Sequence, residues 1–583
     1  MTEKIEKYTN HQVADVFSAI ADLLEIKGEV VFKVLAYRKA AESLDVLGRD
    51  IYDIWKANQL NEIPGVGKAI AEKIGELLST GQLGFFEHLK AEVPISLREL
   101  LGVPDVGPRK AALFWQQAGI TDLAGLEEAA RQGKLRTLPG LGEKSEQRIL
   151  AGIAALRRRS GRISLGKAWP AAQELLAWLR AQPGVTAAEP AGSLRRMRGT
   201  IGDLDLVAAA SDPRPIMDAF THLPSVQQVA GSGEAKTSVE LRSGIRVQLW
   251  IQPPERFGAL WLYATGSKDH NVRLRELALT KGLSLSEQRL LREDGKEIYC
   301  ATEEEVYQQL GLPWIPPELR EDRGEVQAAL AGRLPELVSM PAMRADLHSH
   351  TTWSDGQASI LEMAQAARQA GLKVLAITDH SGGLGITGGP SAADLPRQRA
   401  EIEAAQRQVG DSLRILQGSE VEIRADGTLD YPDETLASLD IVVASLHTSL
   451  RQPREQVTQR LLGVIRNPHV DIIGHPTGRL YPDREGADLD MEAVLAAARQ
   501  NGVAMEINAD PWRLDLDDIH ARRAMELGVN LSINRDAHVT ENVGRLEFGV
   551  ATARRGWVTP GQVINTWSDD RLLEWLQHRG KKV

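Results

Sequence analysis

From His11 to about Leu47 apolar residues recur at helical spacing, as in Val13, Phe17, Ile20, Leu23 and Leu24, and predict helices. The later segment T-S-V-E-L-R-S-G-I-R-V-Q-L-W-I, Thr237 to Ile251, alternates instead and predicts a β-hairpin turning at Ser243-Gly244. From Arg344 the rhythm changes again. Short apolar strands near Asp346, Val374, Ile415, Ile441, Asp471, Val503 and Leu531 are mostly separated by helical patterns. Strand alternating with helix predicts a parallel barrel of about seven strands.

Between the N-terminal helices a turn pattern repeats. Pro64-Gly65-Val66-Gly67-Lys68 separates two helical stretches; Pro104-Asp105-Val106-Gly107-Pro108-Arg109-Lys110 and Pro139-Gly140-Leu141-Gly142-Glu143-Lys144 do the same further on. The glycines let backbone N–H groups approach a phosphate, and the helix that follows adds a positive dipole. This is the helix-hairpin-helix mode of holding a DNA backbone, which reads phosphate and not sequence. Gly65, Gly67, Lys68, Gly107, Arg109, Lys110, Gly140, Gly142 and Lys144 are the expected DNA contacts. Asp105 stands where the first copy has Gly65, and a carboxylate there weakens the second site. The run Arg157-Arg158-Arg159 with Arg162 is either a solvated helix face or the lining of a DNA path.

The chain has 583 residues, enough for three or four domains, and a net charge of −10. That charge argues against a protein that coats nucleic acid by bulk electrostatics, but not against a local basic channel. With one cysteine, Cys300, an internal disulfide or a Cys-rich zinc motif is excluded. The polar N-terminus and the lack of a long apolar run make a cytoplasmic location the expectation, with no membrane involvement.

Two stretches carry chemistry. In G-S-L-R-R-M-R-G-T-I-G-D-L-D-L-V, Gly192 to Val207, a basic turn precedes Asp203 and Asp205, which share one face of a strand. Carboxylates that close repel unless a cation lies between them, and their oxygens suit Mg²⁺ or Mn²⁺. In the barrel, His348, His350, Asp355, His380, Glu420, His447, His475, Asp536 and His538 each stand just past an apolar run. Barrel enzymes place their chemistry at the C-terminal ends of strands. Imidazoles and carboxylates gathered there predict a site for two or three Mn²⁺, Zn²⁺ or Fe ions.

The basic turn and its D-x-D resemble the nucleotidyltransferase motif of family X DNA polymerases, the DNA polymerase beta relatives. The resemblance implies that Gly192, Ser193 and Arg196 grip the incoming triphosphate while Asp203 and Asp205 hold both metals. It also implies Tyr263 at the nucleotide sugar, Gly266 in the turn beneath it, and Asn271 and Arg275 at the nascent base pair and template. The stretch A-Y-R-K-A-A from Ala36, with I-P-G-V-G-K-A-I-A-E-K-I, resembles the small N-terminal domain of polymerase beta. Lys73 then matches the Schiff-base lysine of its 5′-deoxyribose phosphate lyase, with Lys33, Lys39 and Lys68 to lower its pKa. The alternative is an ordinary phosphate-contacting lysine, and Phe32 departs from the lyase pattern. From Asp346 onward the chain resembles the polymerase-and-histidinol-phosphatase (PHP) domain, whose reaction is metal-assisted phosphoester hydrolysis. In bacterial family X enzymes this domain trims DNA 3′ ends. Arg535 falls inside the last motif and either touches the substrate phosphate or faces solvent.

One departure stands out. The register set by Y-A-T-G-S-K-D-H-N-V-R-L-R from Tyr263 puts Gln248 where the family carries its third catalytic aspartate, and Trp250 where it carries arginine. A neutral carboxamide cannot serve as general base. With a two-residue turn, Val239 pairs with Gln248 and Glu240 with Val247, so Glu240 faces away from the metals. Extension is then expected to be weak or to depend on Mn²⁺.

The expected architecture is a lyase-like helical DNA-binding domain (1–85), a helix-hairpin-helix domain (86–164), an α+β nucleotidyltransferase palm (165–252), a nascent-base-pair and template-binding subdomain (253–320), a linker (321–340) and a distorted (β/α)7 PHP barrel (341–583). The prolines after Leu310 and the charged tract Glu318–Glu325 read as part of that linker. The expected function is DNA repair by gap-filling polymerase and 3′–5′ exonuclease, acting as a monomer on gapped or 3′-recessed DNA with deoxynucleoside triphosphates. The alternative is a repair nuclease whose palm mainly binds DNA. A small-molecule phosphatase tethered to DNA modules sits poorly with three hairpin motifs, and a non-catalytic scaffold with a complete ligand set.

Overall fold

In the computed structural model the residues described are 8, 10–45, 51–63, 65–103, 106–159, 162–383, 388–450, 452–481, 484 and 486–577, with only the backbone at 11, 42, 45, 53 and 154–159. The chain divides into two compact units, Met1–Gly161 and Arg162–Val583.

The first unit is helical. Helices Asn10–Lys27 and Val31–Asp45 pack together, and Val13, Phe17, Ile20, Leu23 and Leu24 are all buried at the predicted spacing. The three glycine turns share one geometry. A turn bond runs from Val66 N to Ile63 O, from Val106 N to Val103 O and from Leu141 N to Leu138 O, at 3.0, 3.0 and 3.2 Å. Each turn opens a helix: Lys68–Thr80, Pro108–Ala118 and Glu143–Arg159. Gly65 and Gly140 have φ of +79° and +74°, a backbone that L side chains rarely adopt. A Cβ on Gly67, Gly107 or Gly142 would meet nothing within 4 Å, so each helix start is open to a ligand. Asp105 and the side chains of Arg157 to Arg159 lie outside the described residues.

The second unit begins with a five-stranded sheet in the order Val185–Pro190, Leu204–Ala210, Arg246–Gln252, Lys236–Leu241, Val226–Ser232. Helices Leu165–Arg180 and Arg214–Thr221 cover one face through Leu175, Leu176, Leu179, Ile216 and Phe220. On the other face helix Phe257–Thr265 packs Phe257 and Leu260 over Val207 and Ala209. Asp205 lies on the inner strand Leu204–Ala210, between Val185–Pro190 and Arg246–Gln252. Asp203 lies in the bend just before its strand.

The hairpin corrects an expectation. Leu241 N donates to Ile245 O, so the turn is Arg242-Ser243-Gly244, three residues with Gly244 at φ +79°. Ser238 therefore pairs with Gln248 and Glu240 with Arg246. One extra turn residue moves every side chain to the other face. Glu240 thus shares the face of Gln248 instead of turning away from it.

The charged tract after Leu310 is not a linker either. Arg320 is fully buried, with its NH1 and NH2 donating to Glu303 at 2.6 and 2.9 Å. Arg195 grips the same carboxylate at 2.6 and 2.8 Å. Glu325 is buried against His270 Nδ1 at 2.6 Å. A charge run reads as solvated when its partners lie far away in sequence, and here they do.

From Ala345 seven parallel strands follow in sequence order: Ala345–Asp346, Val374–Ile377, Arg414–Glu422, Ile441–Ser445, Ile472–Gly474, Ala504–Asn508 and Leu531–Asn534. Helices such as Ile360–Gln369, Arg454–Ile465 and Met491–Asn501 separate them. A parallel bridge between Ser349 and Ala537 joins the first strand's end to the last, closing the predicted barrel.

Candidate active sites

The nine side chains predicted at the barrel mouth converge. Glu420, fully enclosed, lies 3.3 Å from His348 Nε2, 3.5 Å from His350 Nε2, 3.0 Å from His380 Nδ1, 3.2 Å from His447 Nε2 and 2.8 Å from His475 Nε2. Asp536 Oδ1 sits 3.0 Å from His350 Nε2, and Asp355 3.4 to 3.7 Å from His538, His380 and His350. Three sets suit ions: His350, Asp355, His380 and His538; His348, His350 and Asp536; His380, Glu420 and His447. The fit can be judged from the donor atoms. His348 Nε2, both ring nitrogens of His350 and of His475, Glu420 Oε1 and Asp536 Oδ1 are buried without a hydrogen-bond partner. So many orphaned donors and acceptors at one point are costly unless a cation satisfies them.

Charge coupling runs through the cluster. Burial opposes the Glu420 charge, but His447, His380 and His348 outweigh it and hold the carboxyl well below the usual range. Burial, joined by the nearby His380 and His538, depresses His350 to about 3, so it presents a neutral imidazole.

Partners that sequence reading missed stand behind these groups. Nδ1 of His348 donates to Glu506 at 2.8 Å, and Nδ1 of His447 to Glu422 at 2.7 Å. Each bond fixes a tautomer and turns Nε2 toward the cluster. The signal was available: Glu506 is a lone charge inside an apolar strand, and Glu422 lies two residues past Glu420.

Arg513 was also missed. Its Nε lies 3.7 Å from Asp536 Oδ2, and its NH1 is buried without an acceptor. The next residue, Leu514, is buried in the core of the five-stranded sheet. The loop holding Arg513 at the barrel mouth is thus pinned by the palm. Arg535 does not face solvent: its NH1 donates to Asp510 at 2.7 Å and its backbone N–H to Asp346.

The palm site is smaller. Asp205 pairs in register with Gln248 on the parallel neighbour strand. Gln248 Nε2 donates to Asp203 Oδ2 at 2.5 Å. Burial, then the Asp203 charge, raise Asp205 to about 7, against Lys236 and Arg196, which lower it. A Cβ on Gly192 would fall 2.0 Å from Asp205 Oδ2, so only glycine lets the basic turn sit on that carboxylate. Ser193 follows in the short helix Gly192–Arg195. Arg196 donates to Thr265 O and Glu321, and Gly266 lies against its guanidinium. Asn271 donates to Tyr263 O at 2.8 Å, and the Arg275 guanidinium lies 5.4 Å over the Tyr263 ring.

In the first unit Lys73 and Lys33 place their ammonium groups 5.2 and 5.8 Å from the ring of Phe85, and Lys39 packs against Gly65. Lys73 Nζ donates to Ala69 O at the exposed surface, while Phe32 is 88 % exposed. Among the described residues no helix is long and apolar enough to cross a membrane.

A palm with a triphosphate-type turn and a barrel with a histidine-rich mouth, on one chain with DNA-type hairpins, define a polymerase joined to a phosphoesterase. Family comparisons agree. A helix-hairpin-helix domain matches residues 8–83, a SAM-like helix-hairpin-helix tandem 97–155, the DNA polymerase beta thumb 260–321 and the PHP domain 346–510. A Bacillus subtilis protein named DNA polymerase/3′-5′ exonuclease PolX is 38 % identical over 552 residues, covering 94 % of this chain and 96 % of its own. Probable phosphatases of two Thermoanaerobacter strains are 34 % identical over 250 residues, 41 % of this chain and 96 % of theirs. The chain belongs to the PolX family of DNA polymerase/3′-5′ exonucleases.

Proposed function

We propose that the two activities of this DNA polymerase and 3′–5′ exonuclease are divided between the two sites, with the barrel mouth trimming 3′ ends and the palm filling gaps. The observation that carries the reading is the set of seven buried, partnerless nitrogen and oxygen atoms converging at the barrel mouth. His348, His350, Asp355, His380, Glu420, His447, His475, Asp536 and His538 would hold two or three ions, Mn²⁺, Zn²⁺ or Fe. Bound there, the ions supply Lewis-acid activation of water and of the scissile phosphoryl group. The chain does the rest: Glu506 and Glu422 orient two imidazoles, and Arg513 offers its free NH1 to a phosphate oxygen of the 3′-terminal nucleotide.

In the palm, Asp203 and Asp205 would hold Mg²⁺ or Mn²⁺ together with the triphosphate, gripped by Gly192, Ser193 and Arg196. Tyr263, Gly266, Asn271 and Arg275 would frame the nascent pair. Gln248 stands at the third carboxylate's place and supplies no base, which favours slow extension and keeps the DNA-binding role of the palm as a second reading. Gapped DNA is engaged by the three hairpins, through the backbone N–H groups at Gly65, Gly67, Gly107, Gly140 and Gly142 and the side chains of Lys68, Arg109, Lys110 and Lys144. Lys73 is either the lyase nucleophile or a phosphate contact. The position of its ammonium at the exposed surface, donating to Ala69 O, favours the phosphate contact.

Primer extension and 3′ trimming should be measured on one gapped substrate with manganese. A chain carrying His348→Ala and His350→Ala should lose about 10³-fold in trimming, the worth of several kcal/mol of charge stabilisation, and still extend. Unimpaired trimming by that chain would rule the barrel out as the nuclease.

A further inference from the structure

Arg196 is the guanidinium on which the nucleotide reading leans, yet the palm alone does not orient it. Its Nε donates to Glu321 Oε1 at 3.0 Å, while NH1 donates to Thr265 O. Glu321 belongs to the buried charged tract at the end of the thumb. Arg555 reaches the same point from the barrel, at the end of helix Glu547–Arg555. Its NH1 donates to Glu321 Oε1 at 2.9 Å and to the main-chain carbonyl of Arg196 at 2.7 Å. Its NH2 donates to Asp518 Oδ2 at 2.8 Å, which also accepts from Arg323 NH1 at 2.8 Å. Arg198 NH1 lies 3.4 Å from the other Glu321 oxygen. Arg555 is 3 % exposed and Glu321 9 %, so the chain of contacts is enclosed and little screened.

We propose that Arg555, acting through Glu321, is a positioning residue for the polymerase: the exonuclease domain braces the arginine that receives the triphosphate. This rests on Arg196 being that arginine. Three guanidinium groups, of Arg196, Arg198 and Arg555, surround one carboxylate. Arg555 also ties down the backbone of Arg196, so both ends of that residue are set by a barrel side chain 359 positions away. A guanidinium already held in place loses less freedom when phosphate arrives, and binding gains accordingly. The same geometry admits a competitor role, in which Glu321 must leave Arg196 before the nucleotide enters. That role predicts the opposite sign.

The full-length protein is assembled with Mg²⁺ on gapped DNA whose primer ends in a dideoxynucleotide and whose templating base is 2-aminopurine. The correct deoxynucleoside triphosphate is titrated, so affinity is read without turnover. Arg555→Ala should weaken nucleotide binding about tenfold, as expected for a lost charge-assisted contact. Arg555→Lys should restore part of it, and Glu321→Gln should also weaken it. Trimming of unblocked DNA should stay close to that of the natural chain, while the melting temperature of Arg555→Ala should fall because Glu321 and Asp518 are left buried with fewer partners; if the alanine variant does not fold, the lysine and Glu321→Gln chains carry the test. Unchanged affinity in Arg555→Ala, when Arg196→Ala weakens it, overturns this inference alone. Tighter binding by Glu321→Gln makes Glu321 a competitor and overturns it too. Unchanged affinity in Arg196→Ala overturns the nucleotide reading and the inference with it.

Discussion

The barrel mouth and the palm both gather acidic oxygens, but on different terms. At the barrel mouth nine side chains come from the ends of six strands, and the remaining strand, Ala504–Asn508, contributes Glu506 behind them. The groups are spread over six strands, so a shift in one strand leaves those on the other five in place. In the palm one bend and one strand supply both carboxylates, and the third place is filled by an amide that donates to Asp203. A site built from many independent elements tolerates drift at any one of them. A site built on a single strand pair depends on one register and on one residue in it.

The contrast can be sharpened in order of expected effect. Gln248→Asp should raise primer extension about 10²-fold, the low end of what a positioned general base supplies, with no change in trimming; equal extension rates would show that Gln248 does not occupy the base's place. Arg513→Ala should lower kcat/KM for trimming about tenfold to a hundredfold, the worth of a hydrogen bond to a charged group, while extension is untouched, and Arg513→Lys should recover part of it. An unaffected Arg513→Ala would leave the buried NH1 without a role.

The smallest effect is one of pH. Because burial and Asp203 raise Asp205 to about 7, an ion entering the palm must expel a proton below that pH. Affinity for Mg²⁺, measured by titration in the presence of nucleotide, should fall about tenfold per unit as pH drops below 7. In the barrel Glu420 is held well below the usual carboxylate range, but against burial it raises His380 to about 10 and His447 to about 9, so ions entering there must expel protons from imidazoles instead of from a carboxyl. A palm affinity flat from pH 8 to 6 would show that Asp205 holds no proton there for an ion to expel.

The readings that held have local causes. The apolar strand rhythm from Arg344 predicts the barrel, and a ligand-type residue one step past each apolar run needs no long-range information to be placed at the mouth. The glycine turns are equally local, since positive φ at Gly65 and Gly140 is a property of the residue type. The failures are of another kind. Whether the hairpin turn holds two or three residues decides the face of Glu240, and R-S-G is compatible with both. Glu318–Glu325 reads as solvated because nothing near it in sequence can pair with it. Its partners are Arg196, His270, Arg273, Glu303, Arg554 and Arg555.

The amino-acid sequence by itself determined the modules, which side chains gather at the barrel mouth and the amide beside the palm's two carboxylates, because periodicity and residue chemistry act over a few residues. Only the tertiary structure decided which buried charges share a carboxylate, which arginine near the barrel mouth keeps a free N–H, and that a barrel residue holds the palm's basic turn. Glu321 and Arg555 are 234 positions apart. A contact at that separation is set by how whole domains pack, and no local pattern encodes it.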